Sequence, residues 1–64
     1  ALTLAEVQEL QTRLTQAGFD TGGNDGRVGL QTMQAVRNFQ AKAGIAPADG
    51  YGGLKVLARL RQGL

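Results

Sequence analysis

The sequence feature that most constrains this chain is a six-residue turn that occurs twice. Residues 25–30 read Asp-Gly-Arg-Val-Gly-Leu, and residues 49–54 read Asp-Gly-Tyr-Gly-Gly-Leu. We call these segments the first turn and the second turn. Each is preceded by an Ala-Gly-apolar step, at residues 17–19 and 43–45. Glycine often ends a helix, and Asp-Gly is a dipeptide typical of turns. The pattern therefore predicts that a helix is followed by a loop, a turn and the next helix, and that this order occurs twice.

The residues between the turns show helical periodicity. The first helix is predicted to begin with a capping box, in which Thr3 and Glu6 bond to each other's backbone amides. Apolar residues then recur every three or four positions at Leu4, Val7, Leu10, Leu14 and Ala17, and again at Leu30, Met33, Val36, Phe39 and Ala43. We therefore expect an all-α fold, a small three-helix bundle with helices over about residues 4–17, 30–43 and 52–62. Phe19, Phe39 and Ile45 are expected in its core.

The length of the chain predicts one small domain. Its 64 residues can form only a small core, because a domain of this size buries only about 60% of the surface that its unfolded chain exposes. No apolar run approaches the ~20 residues that cross a bilayer, so no transmembrane segment is predicted. We expect residues 1–64 to form a single monomeric module of a larger protein.

The composition argues against catalysis and metal binding by this chain. It contains no histidine and no cysteine, and serine is also absent, so the usual nucleophiles and general bases are missing. Glu6 and Glu9 stand three residues apart on one face of a helix, as a catalytic pair of carboxylates in a glycosidase could. Their place near the start of the helix instead suits capping and the helix dipole. The acidic loop from Asp20 has the wrong spacing for a calcium site. No catalytic residue, metal or cofactor is predicted.

The basic residues do not form a nucleic-acid-binding pattern. They are concentrated in the second half of the chain, at Arg37, Lys42, Lys55, Arg59 and Arg61. They are not interleaved with aromatic residues, and no recognition helix is evident. Nucleic acid is therefore not expected as a partner.

An ordered set of short motifs runs through nearly the whole chain. In order these are Leu10-Gln11, Gly18-Phe19, residues 25–29, Thr32, Ala35-Val36, Phe39-Gln40, Gly44-Ile45 and Asp49-Gly50. This set resembles the three-helix type of peptidoglycan-binding domain found beside bacterial cell-wall hydrolases. The segment from Pro47 to Arg61 is similar to the version at the C-terminus of lytic transglycosylases. The sequence departs from the family at Leu30, often proline there, and at Val56, often threonine.

The resemblance implies a function as well as a fold. A member of this family would be a non-catalytic module that anchors an attached cell-wall enzyme to peptidoglycan, its substrate polymer. Its partners would be the glycan or stem peptide and the attached catalytic domain, in the bacterial periplasm, elsewhere in the cell envelope or after secretion. The alternative is a protein-docking or pro-domain-like module of the same fold.

We predict a binding rim along the first turn and the start of the second helix, with the second turn beside it. The rim consists of polar or aromatic residues that the apolar stripes leave outside, namely Asn24, Asp25, Arg27, Gln31, Gln34 and Tyr51. Arg27 would hold a stem-peptide carboxylate, and Tyr51 would stack on a sugar. Asp25 and Asp49 are also expected to accept hydrogen bonds from amides two residues on. Gln40 is expected to bond to a loop backbone.

Overall fold

A computed structural model describes residues 1–63, so Leu64, the last residue of the predicted module, lies outside the described part. It contains three helices, α1 (Leu4–Gln16), α2 (Leu30–Ala43) and α3 (Leu54–Arg61). Helix α1 packs against both α2 and α3. The predicted all-α three-helix fold is confirmed. Among the described residues, no helix has the length and apolar character needed to span a membrane.

The predicted bounds of α1 and α3 need correction, whereas those of α2 are confirmed. The third helix begins at Leu54 rather than at residue 52, because Gly53 has an extended backbone and serves as its N-cap. It ends at Arg61, with Gln62 as its C-cap. The first helix ends at Gln16, one residue earlier than predicted, and Ala17 is its C-cap.

The helix ends use the local signals that the sequence predicts. The Thr3 amide donates to Glu6 Oε1 at 2.8 Å and the Glu6 amide donates to Thr3 Oγ1 at 3.2 Å, which completes the capping box. At the end of α1, the Phe19 amide donates to the Leu14 carbonyl at 2.8 Å. This bond closes over Gly18, whose φ of +98° lies in the left-handed region.

The core lies where the three helices meet. It consists of Leu10, Leu14, Ala35, Val36, Phe39, Val56, Leu57 and Leu60, with Phe19 and Ile45 packed against it. The rings of Phe19 and Phe39 meet edge to face with centroids 5.8 Å apart. The apolar periodicity overstates the core at the helix starts, where Leu4 and Leu30 are 63% and 76% exposed. Both are the first residues of their helices, beyond the region where the helices pack.

Glu9 connects α1 to α3. Its carboxylate accepts from Arg61 Nη2 at 2.7 Å and Nε at 2.8 Å, and from Arg13 Nε at 2.7 Å. The hydrogen bonds from Arg61 and then from Arg13 lower the pKa of Glu9 to about 2. The sequence assigns Glu9 to the helix dipole, whereas the structure gives it a tertiary contact with a residue 52 positions away.

We expect the contribution of Glu9 to stability to disappear in acid. A carboxyl whose pKa is lower in the folded chain stabilises the fold above its unfolded pKa, and the effect is lost as pH falls through the folded value. For Glu9 the window runs from the ordinary 4.5 down to about 2. The Tm difference between wild type and Glu9→Gln should therefore narrow from about pH 6 to about pH 2. A difference that stays constant would contradict this role.

Candidate functional site

A buried glutamine from α1 holds the first turn. The Gln11 side chain is 1% exposed, and its Oε1 accepts from the Gly26 amide at 2.9 Å. Its Nε2 donates to the Arg27 carbonyl at 2.8 Å, to Thr32 Oγ1 at 3.1 Å and to Asp25 Oδ1 at 3.3 Å. One side chain therefore joins α1, the first turn and α2.

A second buried glutamine holds the second turn in the same way. Gln40 Oε1 accepts from the Gly50 amide at 2.8 Å, while Nε2 donates to Asp49 Oδ1 at 3.2 Å and to the Tyr51 carbonyl at 3.5 Å. The predicted bond between Gln40 and a loop backbone is confirmed. At the position that corresponds to the threonine of the first repeat stands Val56, which offers no hydroxyl. Gln40 therefore makes one hydrogen bond fewer than Gln11, and its bond to the turn carbonyl is longer, at 3.5 Å against 2.8 Å.

The two turn aspartates have the structural role that the sequence predicts. Asp25 Oδ1 accepts from the amide of Arg27 at 2.9 Å, and Asp49 Oδ1 accepts from the amide of Tyr51 at 3.0 Å. These backbone amides, followed by the glutamine side chains, lower the pKa of both carboxyls. Both side chains are therefore ionised at neutral pH.

A polar cavity lies between the first loop and the start of α2. It has a volume of about 330 Å³ and is lined by Thr21, Gly22, Gly23, Asp25, Arg27, Gly29, Gln31 and Thr32; we call it the Arg27 cavity. Gln31 leans on the loop, since its Oε1 lies 2.6 Å from where a Cβ on Gly22 would be. A guanidinium, a carboxylate and an amide on one cavity can bind ligands that carry carboxyl, amide and hydroxyl groups.

The second turn borders a different cavity. This cavity of about 300 Å³ is lined by Val28, Met33, Asp49, Gly50, Tyr51 and Gly52; we call it the Tyr51 cavity. Residues 27–29 border both cavities, because Arg27 and Gly29 line one and Val28 lines the other.

The structure distributes the six predicted rim residues over more than one surface. Asp25, Arg27 and Gln31 meet at the Arg27 cavity. Asn24 lines a groove along α1, where its Nδ2 donates to Thr12 Oγ1 at 3.3 Å. Tyr51 lines the Tyr51 cavity, and Gln34 is exposed on α2 outside the linings of these three sites.

The sequence reasoning missed the role of Gln11. Its signal is the parallel between Leu10-Gln11 and Phe39-Gln40, in which a glutamine follows a large core residue. A polar residue beside a core position needs a buried partner, and the next turn of the chain offers free amides and carbonyls. Within residues 1–63, no group of three or more His, Cys, Asp or Glu side chains is placed to hold a metal ion.

The sequence of the chain is similar to those of several known proteins. The sequence profile of a peptidoglycan binding domain matches residues 3–60. A spore cortex-lytic enzyme of Bacillus cereus is 52% identical over 50 residues, covering 78% of this chain and 19% of that enzyme. The N-acetylmuramoyl-L-alanine amidase CwlM of Mycobacterium tuberculosis is 46% identical over 55 residues, covering 86% of this chain and 13% of the amidase. The spore cortex-lytic enzyme of Bacillus subtilis is 46% identical over 50 residues, covering 78% and 16%.

Proposed function

This chain belongs to the peptidoglycan-binding domain family, and we propose that it anchors a cell-wall lytic enzyme to peptidoglycan without taking part in catalysis. The profile match over residues 3–60 carries this proposal. The chain spans only 13–19% of the length of the relatives described above, which are named as lytic enzymes or amidases. The attached catalytic domain is therefore sought outside these 64 residues.

The type of attached enzyme and its compartment are finer parts of the proposal. The relatives favour a cortex-lytic enzyme or an amidase. A lytic transglycosylase is supported by the resemblance of the C-terminal segment alone. The module acts at the bacterial cell wall, outside the cytoplasmic membrane. In a bacterium that has an outer membrane, this compartment is the periplasm.

The use of the acidic side chains supports a non-catalytic role. Every aspartate and glutamate of the chain accepts a hydrogen bond that builds the fold. Glu6 caps α1, Glu9 joins two helices, and Asp20, Asp25 and Asp49 each bond to the amide two residues on. Histidine and cysteine, the commonest general base and the thiol nucleophile of hydrolases, are absent from the sequence.

The Arg27 cavity is the part of the surface best suited to the peptide portion of peptidoglycan. The Arg27 guanidinium can bind a stem-peptide carboxylate through two parallel hydrogen bonds. Gln31 can bond to a peptide amide on the same ligand. The hydrogen bonds of the Gln11 side chain hold the backbone of Arg27 in place before the ligand arrives. Little conformational entropy of this segment is therefore lost on binding.

Co-sedimentation with purified, protein-free sacculi tests this function. The domain should sediment with sacculi at low and at high salt, because several polar contacts contribute besides charge. Arg27→Ala should weaken the apparent affinity roughly tenfold, the size expected for a lost charge-assisted bond. Lys42→Ala removes the same charge from an exposed site on α2 and should bind like the wild type.

Two results would contradict the proposal. If the intact, folded domain stays in the supernatant, peptidoglycan is not its ligand, and the surface is better explained as a docking site for protein. If Arg27→Ala and Lys42→Ala bind equally well, the Arg27 cavity is not the peptide site. Circular dichroism of each variant confirms that the helices are intact.

A further inference from the structure

The Tyr51 cavity has apolar walls that the core does not use. Val28, Met33 and Tyr51 are 49%, 44% and 66% exposed, although each borders the same cavity. Met33 belongs to the apolar stripe of α2, and its counterpart in the second repeat, Leu57, is fully buried. Three partly exposed apolar side chains around one cavity indicate a binding surface rather than incomplete packing.

The ring of Tyr51 lies against the backbone of Gly53. Its Cε2, Cδ2 and Cζ atoms lie 2.6, 3.3 and 3.4 Å from the position that a Cβ on Gly53 would occupy. The ring therefore rests on the bare backbone of Gly53. The corresponding glycine of the first repeat, Gly29, has the same extended backbone but no atom within 4 Å of its Cβ position. Gly53 thus makes room for an aromatic ring that remains two-thirds exposed.

We infer that the Tyr51 cavity is a subsite for one N-acetylated amino sugar of the glycan strand, an assignment that rests on the proposed function. The apolar face of a pyranose ring would stack on the exposed face of Tyr51. The methyl group of the acetamido substituent would contact Met33 and Val28. The bonds that hold the second turn engage Oδ1 of Asp49, and its Oδ2 would accept from a sugar hydroxyl.

The position of this subsite beside the Arg27 cavity fits a ligand that has both sugar and peptide. Arg27 and Tyr51 are equivalent residues of the two turns, each directly after the Asp-Gly pair. Each turn is held by the same glutamine arrangement, so the cation and the aromatic ring are presented on similar frames. The peptide-carrying sugar of peptidoglycan joins these two chemistries within one repeat unit. The two cavities would therefore bind adjacent parts of the same strand.

Titration with a β-1,4-linked N-acetylglucosamine tetramer, followed by NMR, tests the sugar subsite without any peptide. Backbone shifts of Tyr51, Gly53 and Met33 should move, with a dissociation constant of about 1 mM for a single site. Tyr51→Ala should weaken binding roughly tenfold, and Tyr51→Phe should retain it because stacking uses the ring. Leu30→Ala, which removes an apolar side chain that is 76% exposed outside the cavity, should bind like the wild type.

Gly53→Ala provides a sharper test because it keeps the tyrosine but displaces its ring. Gly53→Ala should weaken tetramer binding about as much as Tyr51→Ala. Gly29→Ala is the control, because it places alanine at an N-cap with the same extended backbone and measures the loss of stability that this change alone causes. Sacculus binding with no response to the tetramer would overturn the sugar subsite and leave the proposed function standing. Failure of both ligands would overturn both. Tetramer binding that survives Tyr51→Ala and Gly53→Ala would place the sugar elsewhere and overturn the subsite.

Discussion

Replacing Gln11 by leucine is expected to destabilise the domain by about 3 kcal/mol. Leucine fills a similar volume, but it removes the acceptor of the Gly26 amide and the donor to the Arg27 carbonyl. A buried polar group left without a partner costs about 1–3 kcal/mol; the two backbone groups are partly buried, and the Thr32 hydroxyl, which also loses its bond to Gln11, is buried. A domain of this size has a total stability of roughly 3–5 kcal/mol, so the variant should be partly unfolded at room temperature. Urea denaturation measures the loss.

The repeat supplies a graded comparison for this experiment. Gln40→Leu removes the equivalent side chain of the second turn, which makes one hydrogen bond fewer than Gln11 and a longer one to the turn carbonyl, so it should cost less stability than Gln11→Leu. Gln16→Leu changes an exposed glutamine of α1 and should alter the free energy of unfolding by no more than about 0.5 kcal/mol. If Gln11→Leu and Gln16→Leu were equally stable, the hydrogen bonds of Gln11 would not contribute to the stability of the domain.

Replacing Gly50 by alanine should also cost about 3 kcal/mol, for two separate reasons. Gly50 has φ +79°, where a Cβ costs about 1–2 kcal/mol. The added Cβ would also lie 2.9 Å from the carbonyl oxygen of Met33 in α2, a backbone atom that cannot rotate away. The second turn and α2 must then separate, and thermal denaturation should show a large fall in Tm.

Gly44→Ala separates the two reasons. Gly44 ends α2 with φ +73°, close to that of Gly50, but no atom lies within 4 Å of its Cβ position. Its substitution should therefore cost only the conformational part, about 1–2 kcal/mol. Equal losses of stability in the two variants would show that the approach of Gly50 to Met33 does not matter.

The features that could be predicted from the sequence depend on residues close together in the chain. The capping box joins Thr3 and Glu6, three positions apart, and each turn aspartate bonds to the amide two positions on. Such contacts form from local backbone geometry and the short reach of the side chain, whatever the rest of the fold does. The order of helices and turns follows from these signals together with apolar periodicity.

The features that could not be predicted depend on contacts between distant segments. Glu9 meets Arg61 only because α3 packs on α1, and no local pattern distinguishes this pair from other surface charges. Gln11 reaches the first turn across 15 positions, from a side chain that periodicity alone would leave on the edge of a helix. Likewise, the apolar character of Leu30 does not reveal that the core ends before it.

By itself, the sequence determined three helices, two aspartate-glycine turns and the resemblance to a peptidoglycan-binding module. Only the tertiary structure decided that Arg27 and Tyr51, equivalent residues of the repeat, line separate cavities. It also showed that the Tyr51 ring occupies the space that a Cβ on Gly53 would take, whereas this space is open at Gly29, although both glycines have the same extended backbone. The reason is physical, because a repeated local sequence repeats its hydrogen bonds, whereas the neighbours that pack around each copy differ.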